Sequence, residues 1–387
     1  MSGYSRIPLS VLDLAPIADG SSPAEAIRRS IELARVAEGA GYRRFWLAEH
    51  HFVSVASSST ATLIALIAAA TQRIRVGSAA VQLGHHTPAS VVEAFGTIDA
   101  VHPGRLDLGL GRSGQRRTEA IATVRTGGTV TRSEPERVVD GLLIPRAFPV
   151  ETLLASPRIA AAAQALEFEG AAPQDFADAV ADVLALLSGS YRVDGIALHA
   201  VPGEGADVDV WVFGSSKGQS AQVAGTEGLP FVANYHVSPA TVLEAVEAYR
   251  AAFRPSGRLD RPYVVVSADV VVADNDAAAR ELASTYGHWV HSIRAGGGAA
   301  PYPDPASTPP LTTEQCAVVD DRIRTQFVGS PSAVADGLDT LAHATGADEL
   351  VITSVTHDFE ARKRSHQLLA AEWGVTREKA QPTDTIS

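Results

Sequence analysis

RIRVGSAAVQLGHHTPASVVEAFGTIDAVHPGRLDLGLGRSG occupies residues 73–114 and contains the clearest succession of secondary-structure patterns in the chain. Residues 74–83 are rich in β-branched side chains, residues 90–101 have apolar side chains at helical spacing, and residues 106–110 alternate in the manner of a strand. Strand, helix and strand of these lengths predict a βαβ unit. Its two parallel strands end at the same edge of a sheet.

The same alternation of strand and helix continues on both sides of this unit. Eight predicted strands separated by helices favour an α/β fold of the (β/α)8 TIM barrel type over an open sheet, with long insertions after strands 4 and 7. In such a barrel the chemistry lies at the carboxyl ends of the strands. The predicted strands are residues 9–14, 44–48, 74–83, 106–110, 209–213, 230–233, 263–272 and 349–353.

Three segments interrupt the pattern, and we interpret residues 1–387 as one barrel domain that carries them. Residues 113–170 have weak periodicity and are predicted to be an irregular insertion that faces the substrate. Residues 292–311 contain three consecutive glycines and five prolines, so we expect a mobile loop without helix or strand. Residues 374–387 are predicted to be a frayed tail.

Composition limits the classes of partner. The formal charge of −12 argues against a nucleic-acid-binding surface, because such binding depends on clustered Lys and Arg. The single cysteine, Cys316, excludes an intramolecular disulfide framework. The amino terminus has no apolar signal core, and no apolar run is long enough to cross a bilayer. We therefore expect a cytoplasmic protein that acts on a small-molecule substrate, without a membrane or nucleic-acid partner.

Two motifs at the predicted strand ends suggest a dinucleotide site and a metal site, and the residues around them favour neither. Residues 109–114 match GxGxxG, but a Rossmann dinucleotide site requires a helix that begins at the glycines, and an irregular segment follows here. Two histidine pairs, residues 50–51 and 85–86, suggest a metal. Adjacent residues of a strand point to opposite sides, so each pair offers about one inward ligand, and we predict no metal.

Two further groups at the strand ends are predicted to be functional. His50 follows strand 2, where it can act as a general base, although a hydrogen-bonded structural histidine is the alternative. Gly214, Ser215 and Ser216 lie between strand 5 and a helix, where backbone N–H groups and hydroxyls suit a phosphate. Arg112 at the end of the neighbouring strand 4 would complete a two-sided phosphate site.

The sequence resembles the bacterial luciferase-like flavin-dependent monooxygenase family (alkanal monooxygenase-like) over nearly the whole chain outside residues 113–200. The resemblance implies a (β/α)8 barrel that binds reduced FMN, adds O₂ to give a peroxyflavin, and oxidises an aldehyde or another small organic substrate. Some relatives use a deazaflavin for hydride transfer instead. The matching motifs are residues 9–16 (LSVLDLAP), 46–51 (WLAEHH), 76–81 (VGSAAV), 102–112 (HPGRLDLGLGR), 212–216 (VFGSS) and 346–350 (GADEL).

The resemblance also implies roles for individual residues. Ala79 and Ala80 match the pair joined by a cis peptide bond on which the isoalloxazine ring rests, and His50 matches the active-site histidine near the reacting edge of the flavin. Arg112, Ser215 and Ser216 match the phosphate site. Gly111, a cofactor-site position, stands where luciferases have a reactive cysteine. Gly214, another cofactor-site position, stands where they have an acid, and residues 82–86 and the long segment 113–170 also depart from the family. These three departures bear on substrate identity more than on cofactor identity.

The resemblance further implies a separate NAD(P)H-dependent flavin reductase, because we find no second nucleotide-binding domain in the sequence. We also expect a homo-oligomer. Two alternatives to the FMN-dependent monooxygenase stay open. One is a deazaflavin-dependent oxidoreductase, and the other is a non-catalytic flavin-binding protein of the same fold.

Overall fold

A computed structural model describes residues 6–112, 119–120, 122–124, 126–128, 130, 134–154, 156–166 and 174–375. Within these residues eight parallel strands close into a barrel, because the first strand pairs with both the second and the eighth, and the fourth pairs with the fifth. The predicted TIM barrel is therefore confirmed. The barrel strands are β1 (Leu9–Asp13), β2 (Arg44–Leu47), β3 (Arg75–Ser78), β4 (Leu106–Gly111), β5 (Val208–Gly214), β6 (Phe231–Asn234), β7 (Val264–Val272) and β8 (Glu349–Thr353).

Helices surround the sheet, and their ends follow the local sequence. Ser22 accepts a hydrogen bond from the backbone N–H of Glu25 at the start of the first helix, and Gly41 ends that helix with a φ of 90°. The α-helices of the described residues include Pro23–Ala40, Thr60–Ala70, Pro88–Asp99, Glu151–Leu154, Pro157–Leu166, Phe176–Leu187, Gln219–Thr226, Val242–Ala252, Asp276–Ala283, Tyr286–Ser292, Thr313–Arg324, Pro331–Thr345 and Phe359–Trp373.

The barrel interior is filled in layers. Near the amino-terminal ends of the strands, Arg44 Nη1 donates to both carboxylate oxygens of Asp107 at 2.8 and 2.9 Å, and Glu349 lies beside the same guanidinium. The next layer contains Trp46 and Trp211, whose ring centroids are 5.1 Å apart in an edge-to-face arrangement. These layers close the amino-terminal half of the barrel and leave the carboxyl end for a site.

The third strand differs from the prediction. We expected one strand over residues 74–83, but β3 ends at Ser78 and the Ala79–Ala80 peptide bond is cis. A short strand, Val81–Gln82, then pairs with the end of β4. The predicted strand is therefore divided into two pieces by the alanine pair.

The segment after β4 contains more regular structure than predicted. An antiparallel hairpin joins Arg137–Val139 to Leu142–Ile144, and the helix Pro157–Leu166 follows. Much of 113–133 and residues 167–173 lie outside the described residues, so the expectation that the whole of 113–170 faces the substrate stays a prediction. The predicted tail lies mostly outside them as well.

The expectation that residues 292–311 contain neither helix nor strand is wrong. Ile293–Gly297 continues the preceding helix as a π-helical turn. Tyr302 is buried and exchanges two backbone hydrogen bonds of 2.8 Å with the loop after β1, one with Ile17 and one with Asp19. A buried tyrosine and these hydrogen bonds attach the middle of the segment to the barrel.

No helix in the described part of the chain is long and apolar enough to span a membrane.

Candidate active site

Residues 48–51 connect β2 to the mouth of the barrel and present side chains to different surroundings. Ala48 belongs to the interior cluster that also contains Trp46. Glu49 is buried, whereas His50 is exposed. His50 lies close enough to His236, at the end of β6, for its charge to lower the pKa of that histidine. His50 therefore lies at the open carboxyl end of the barrel, where it was predicted.

A buried carboxylate holds the loops on either side of the alanine pair. Glu49 Oε1 is 2.9 Å from His51 Nε2 and 3.0 Å from His86 Nε2. Burial alone would raise the pKa of Glu49, but the hydrogen bonds from His86 and His51 outweigh it and the pKa is lowered. The same hydrogen bond raises the pKa of His86. Two of the four histidines considered as metal ligands thus bind Glu49.

No group of three or more histidine, cysteine or acidic side chains within the described residues has the geometry to hold a metal ion.

His236 is fixed by polar side chains at the ends of β6 and β7. Its Nδ1 lies 2.6 Å from Ser267 Oγ, which in turn donates to Asn234 Oδ1 at 3.1 Å. Burial and the positive charges of Arg322 and His50 lower the pKa of His236 to about 3. His236 is therefore neutral at physiological pH.

Sequence reasoning missed a second polar cluster at the mouth. Arg322 Nη2 donates to Tyr286 Oη at 2.6 Å and to Asp269 Oδ2 at 3.1 Å, and Tyr286 donates to the same carboxylate. Burial raises the pKa of Asp269 in spite of Arg322. Arg322 comes from the helix after residues 292–311, and only the register of that helix on the barrel brings it to the site.

The predicted ring platform lies between β3 and β4. Ala79 and Ala80 are half-buried, and a Cβ built on Gly111 would lie 3.1 Å from Ala80 Cβ. A Cβ on Gly109 would lie 2.0 Å from the carbonyl oxygen of Ser78, so glycine is required there for close strand packing. The GxGxxG match is therefore explained at Gly109 by contact between barrel strands.

The predicted phosphate residues lie on adjacent strands. Gly111 of β4 pairs with Phe213 of β5, so Arg112 and Gly214 follow from matched positions. The carbonyl oxygen of Ser215 accepts a hydrogen bond from Thr241 Oγ1 at 2.5 Å.

The surroundings of the phosphate residues suit an anion. Arg112 binds Glu119 through Nη2, while its Nε is buried without a partner in the described part of the structure. The helix Gln219–Thr226, which follows Ser216, has no side-chain cap on its first N–H groups. An orphaned guanidinium nitrogen and an uncapped helix end fit a phosphate group.

Asp13, another acid at a strand end, does not contribute to the mouth. It accepts hydrogen bonds from Arg362 and Ser30, which belong to the outer helices. Burial alone would raise the pKa of Asp13, but the charge of Arg362 and these hydrogen bonds outweigh burial, and the pKa is lowered. Asp13 therefore faces outward from the sheet and stabilises helix packing.

The fold and this mouth define a (β/α)8-barrel enzyme with a site at the carboxyl ends of the strands. A profile of the luciferase-like monooxygenases matches residues 7–134 and 170–349, which is most of the chain. The chain belongs to the luciferase-like monooxygenase family, and its relatives named as monooxygenases support an oxygenating flavin-type oxidoreductase.

Individual relatives match along nearly their full length. A luciferase-like monooxygenase of Escherichia coli (strain K12) is 33% identical over 367 residues, which cover 94% of this chain and 96% of that protein. The crystal structure of apo-MsnO8 is 30% identical with a TM-score of 0.74, covering 96% of this chain and 99% of that one. The oxygenating constituent of a 3,6-diketocamphane monooxygenase from Pseudomonas putida, solved with FMN, shares the fold at 18% identity and a TM-score of 0.59, covering 97% and 99%.

Proposed function

We propose that this protein is an FMN-dependent monooxygenase that uses reduced FMN and O₂ to oxidise a small organic substrate. The observation that carries the proposal is the phosphate geometry. Arg112 and residues 214–216 follow paired positions of β4 and β5, and Arg112 has a buried Nε without a partner among the described residues. A phosphate on the cofactor would accept from this nitrogen and from the N–H groups of the uncapped helix.

The remaining predicted residues suit the ring of the same cofactor. Ala79 and Ala80 offer a half-buried backbone surface without bulky side chains, and the lack of a side chain at Gly111 leaves the space beside Ala80 open. His50 at the mouth would hold or transfer a proton near the ring. Bound reduced FMN would supply the electrons that activate O₂. FMN in the Pseudomonas putida protein of the same fold supports this choice of cofactor.

The described residues form one barrel, and we propose that a separate NAD(P)H-dependent flavin reductase supplies reduced FMN. We also propose that the protein forms a homo-oligomer.

Oxygen incorporation tests the function directly. The purified protein is incubated with FMN, NADH and a flavin reductase under ¹⁸O₂, with a panel of aldehydes, thioethers and N-acyl compounds, and the products are analysed by mass spectrometry. We expect one ¹⁸O atom in product that depends on the protein. The matched control omits the protein, because free reduced flavin also consumes O₂.

Two results would contradict the proposal. Tight binding of a deazaflavin with none of FMN would favour hydride transfer. FMN binding without labelled product for any substrate class would favour a non-catalytic flavin-binding protein.

A further inference from the structure

The hydrogen bonds around His236 determine which of its ring nitrogens carries hydrogen. The backbone N–H of Val237 donates to Asn234 Oδ1 at 3.2 Å, so this atom is the amide oxygen. Ser267 Oγ donates its only hydrogen to the same oxygen at 3.1 Å. Ser267 Oγ must therefore accept from His236 Nδ1, which lies 2.6 Å away.

A neutral imidazole has a single N–H, so His236 Nε2 carries a lone pair. Burial and the charges of Arg322 and His50 lower the pKa of His236 to about 3, which keeps the ring neutral. Nε2 has no hydrogen-bond partner within the described residues, since the one hydrogen bond of this ring is made by Nδ1. His236 thus offers a fixed acceptor at the mouth of the barrel.

A hydrogen-bond donor lies close to this acceptor. Arg322 makes both of its hydrogen bonds through Nη2, and its Nε is buried without a partner among the described residues. Ser267, which binds His236, and Asp269, which binds Arg322, are two positions apart on β7 and therefore lie on the same side of that strand. An acceptor beside a cation is complementary to a group that has a donor hydrogen next to an electron-rich oxygen.

We propose that His236 is a substrate-binding residue whose Nε2 accepts a hydrogen bond from an N–H or O–H group of the substrate, with Arg322 facing an adjacent carbonyl or carboxylate oxygen. The substrate class is then N-acyl or hydroxy carboxylates and similar polar molecules. An unfunctionalised alkanal has no such donor and leaves the acceptor unpaired, which a buried site discriminates against. The inference rests on the proposed function for the reaction, and on the geometry alone for the binding.

The first experiment needs neither FMN nor turnover. The full chain is labelled with ¹⁵N-histidine, and long-range ¹H–¹⁵N NMR at pH 7 identifies the tautomer of His236, whose signals are assigned by their absence in His236→Leu. We expect hydrogen on Nδ1 and a lone pair on Nε2, and loss of this preference in Ser267→Ala. Hydrogen on Nε2 in the wild type would overturn the proposal even if the Leu variant did not fold, because Ser267→Ala assigns the same ring by its shift.

The second experiment uses a matched pair of ligands, N-hexanoylglycine and N-hexanoylsarcosine, which differ by N–H against N–CH₃. We expect the glycine compound to shift the Nε2 signal and to bind about tenfold more tightly by calorimetry, with this preference lost in His236→Leu. Equal effects of both ligands, or no effect of either, would refute the substrate class. Failure of the oxygenation assay with these binding results intact would instead contradict the reaction.

Discussion

Arg112 and Glu119 form an ion pair in which Nη2 of the guanidinium donates to both carboxylate oxygens. The Glu119 side chain is exposed, whereas that of Arg112 is largely covered. Exposed ion pairs contribute little, typically about 0–1 kcal/mol, so a phosphate that also reaches the buried Nε competes well for the guanidinium. We therefore expect a bound phosphate to displace Glu119 from Arg112.

Replacement of Arg112 tests the phosphate site. Arg112→Gln should weaken FMN binding by about 10- to 100-fold, on the scale of a charge-assisted hydrogen bond of roughly 1.5–3 kcal/mol, and should leave riboflavin binding little changed. Fluorescence titration with both ligands measures this. The matched variant Glu119→Gln should tighten FMN binding severalfold, because it removes the competitor. Equal losses for FMN and riboflavin would refute the assignment.

His50 is expected to act in proton transfer. His50→Gln should lower turnover by about 100-fold or more while FMN affinity is largely retained. Steady-state kinetics and FMN titration separate the two effects. His199→Gln is the control, because His199 is exposed and pairs with Glu204 outside the mouth. Turnover of the His50→Gln variant equal to that of the wild type would contradict proton transfer by His50 and would favour a structural role.

The Glu49–His86 contact should give a pH-dependent stability. The pKa of His86 is raised above 6.5, so its contribution is complete below pH 6.5 and is lost as pH rises through the raised value. The pKa of Glu49 is lowered from 4.5, so its contribution is present above pH 4.5 and is lost as pH falls through the lowered value. The Tm difference between wild type and Glu49→Gln should be largest from pH 4.5 to 6.5.

Glu93→Gln, on an exposed helix face, provides the baseline for that measurement. A Tm difference for Glu49→Gln that does not vary with pH would show that the ionised contact contributes nothing.

The buried charges at the amino-terminal end of the barrel should be costly to disrupt. Asp107 accepts from Arg44, Arg75 and Trp46, so Asp107→Ala leaves two cations without their shared partner. We expect a loss of about 3–5 kcal/mol in the free energy of unfolding, measured with urea. The control Asp274→Asn acts on the exposed pair with Arg364 and should cost less than about 1 kcal/mol.

Residues 292–311 are predicted to close over bound reduced flavin. Because Tyr302 is attached to the loop after β1, proteolysis should be confined to the exposed residues that follow it and should slow when reduced FMN is added without oxygen. Tyr302→Ala should accelerate cleavage with or without flavin. If reduced FMN does not change the cleavage rate of either the wild type or the Tyr302→Ala variant, the segment is an anchored surface loop and does not close over the flavin.

The barrel was predictable because each strand and helix carries its own periodicity and its own end signals. The short strands β2, β6 and β8 were found within about one residue of their observed ends. The sequence also predicted that Arg112 and residues 214–216 occupy neighbouring positions, because the parallel strands of a barrel all end at the same rim.

Other contacts could not be predicted from the sequence, because they depend on the side to which a side chain points and on how distant segments pack together. Asp13 is the last residue of β1, but its side chain faces the outer helices, and the alternation of side chains along a strand does not determine that orientation at the strand end. Arg322 lies 53 positions from Asp269 in the sequence, on a helix that follows the π-helical turn and Tyr302. No local sequence pattern predicts a contact between residues so far apart in the chain.

The stacked interior has an optical consequence. Three of the four tryptophans, Trp46, Trp211 and Trp289, belong to the interior cluster beneath the mouth, whereas Trp373 donates to Ile7 on the outer side of the barrel. The intrinsic emission of the protein therefore comes mainly from this cluster. A yellow, light-absorbing ring held at the mouth would quench that emission, and the unlabelled chain serves as its own sensor of cofactor binding.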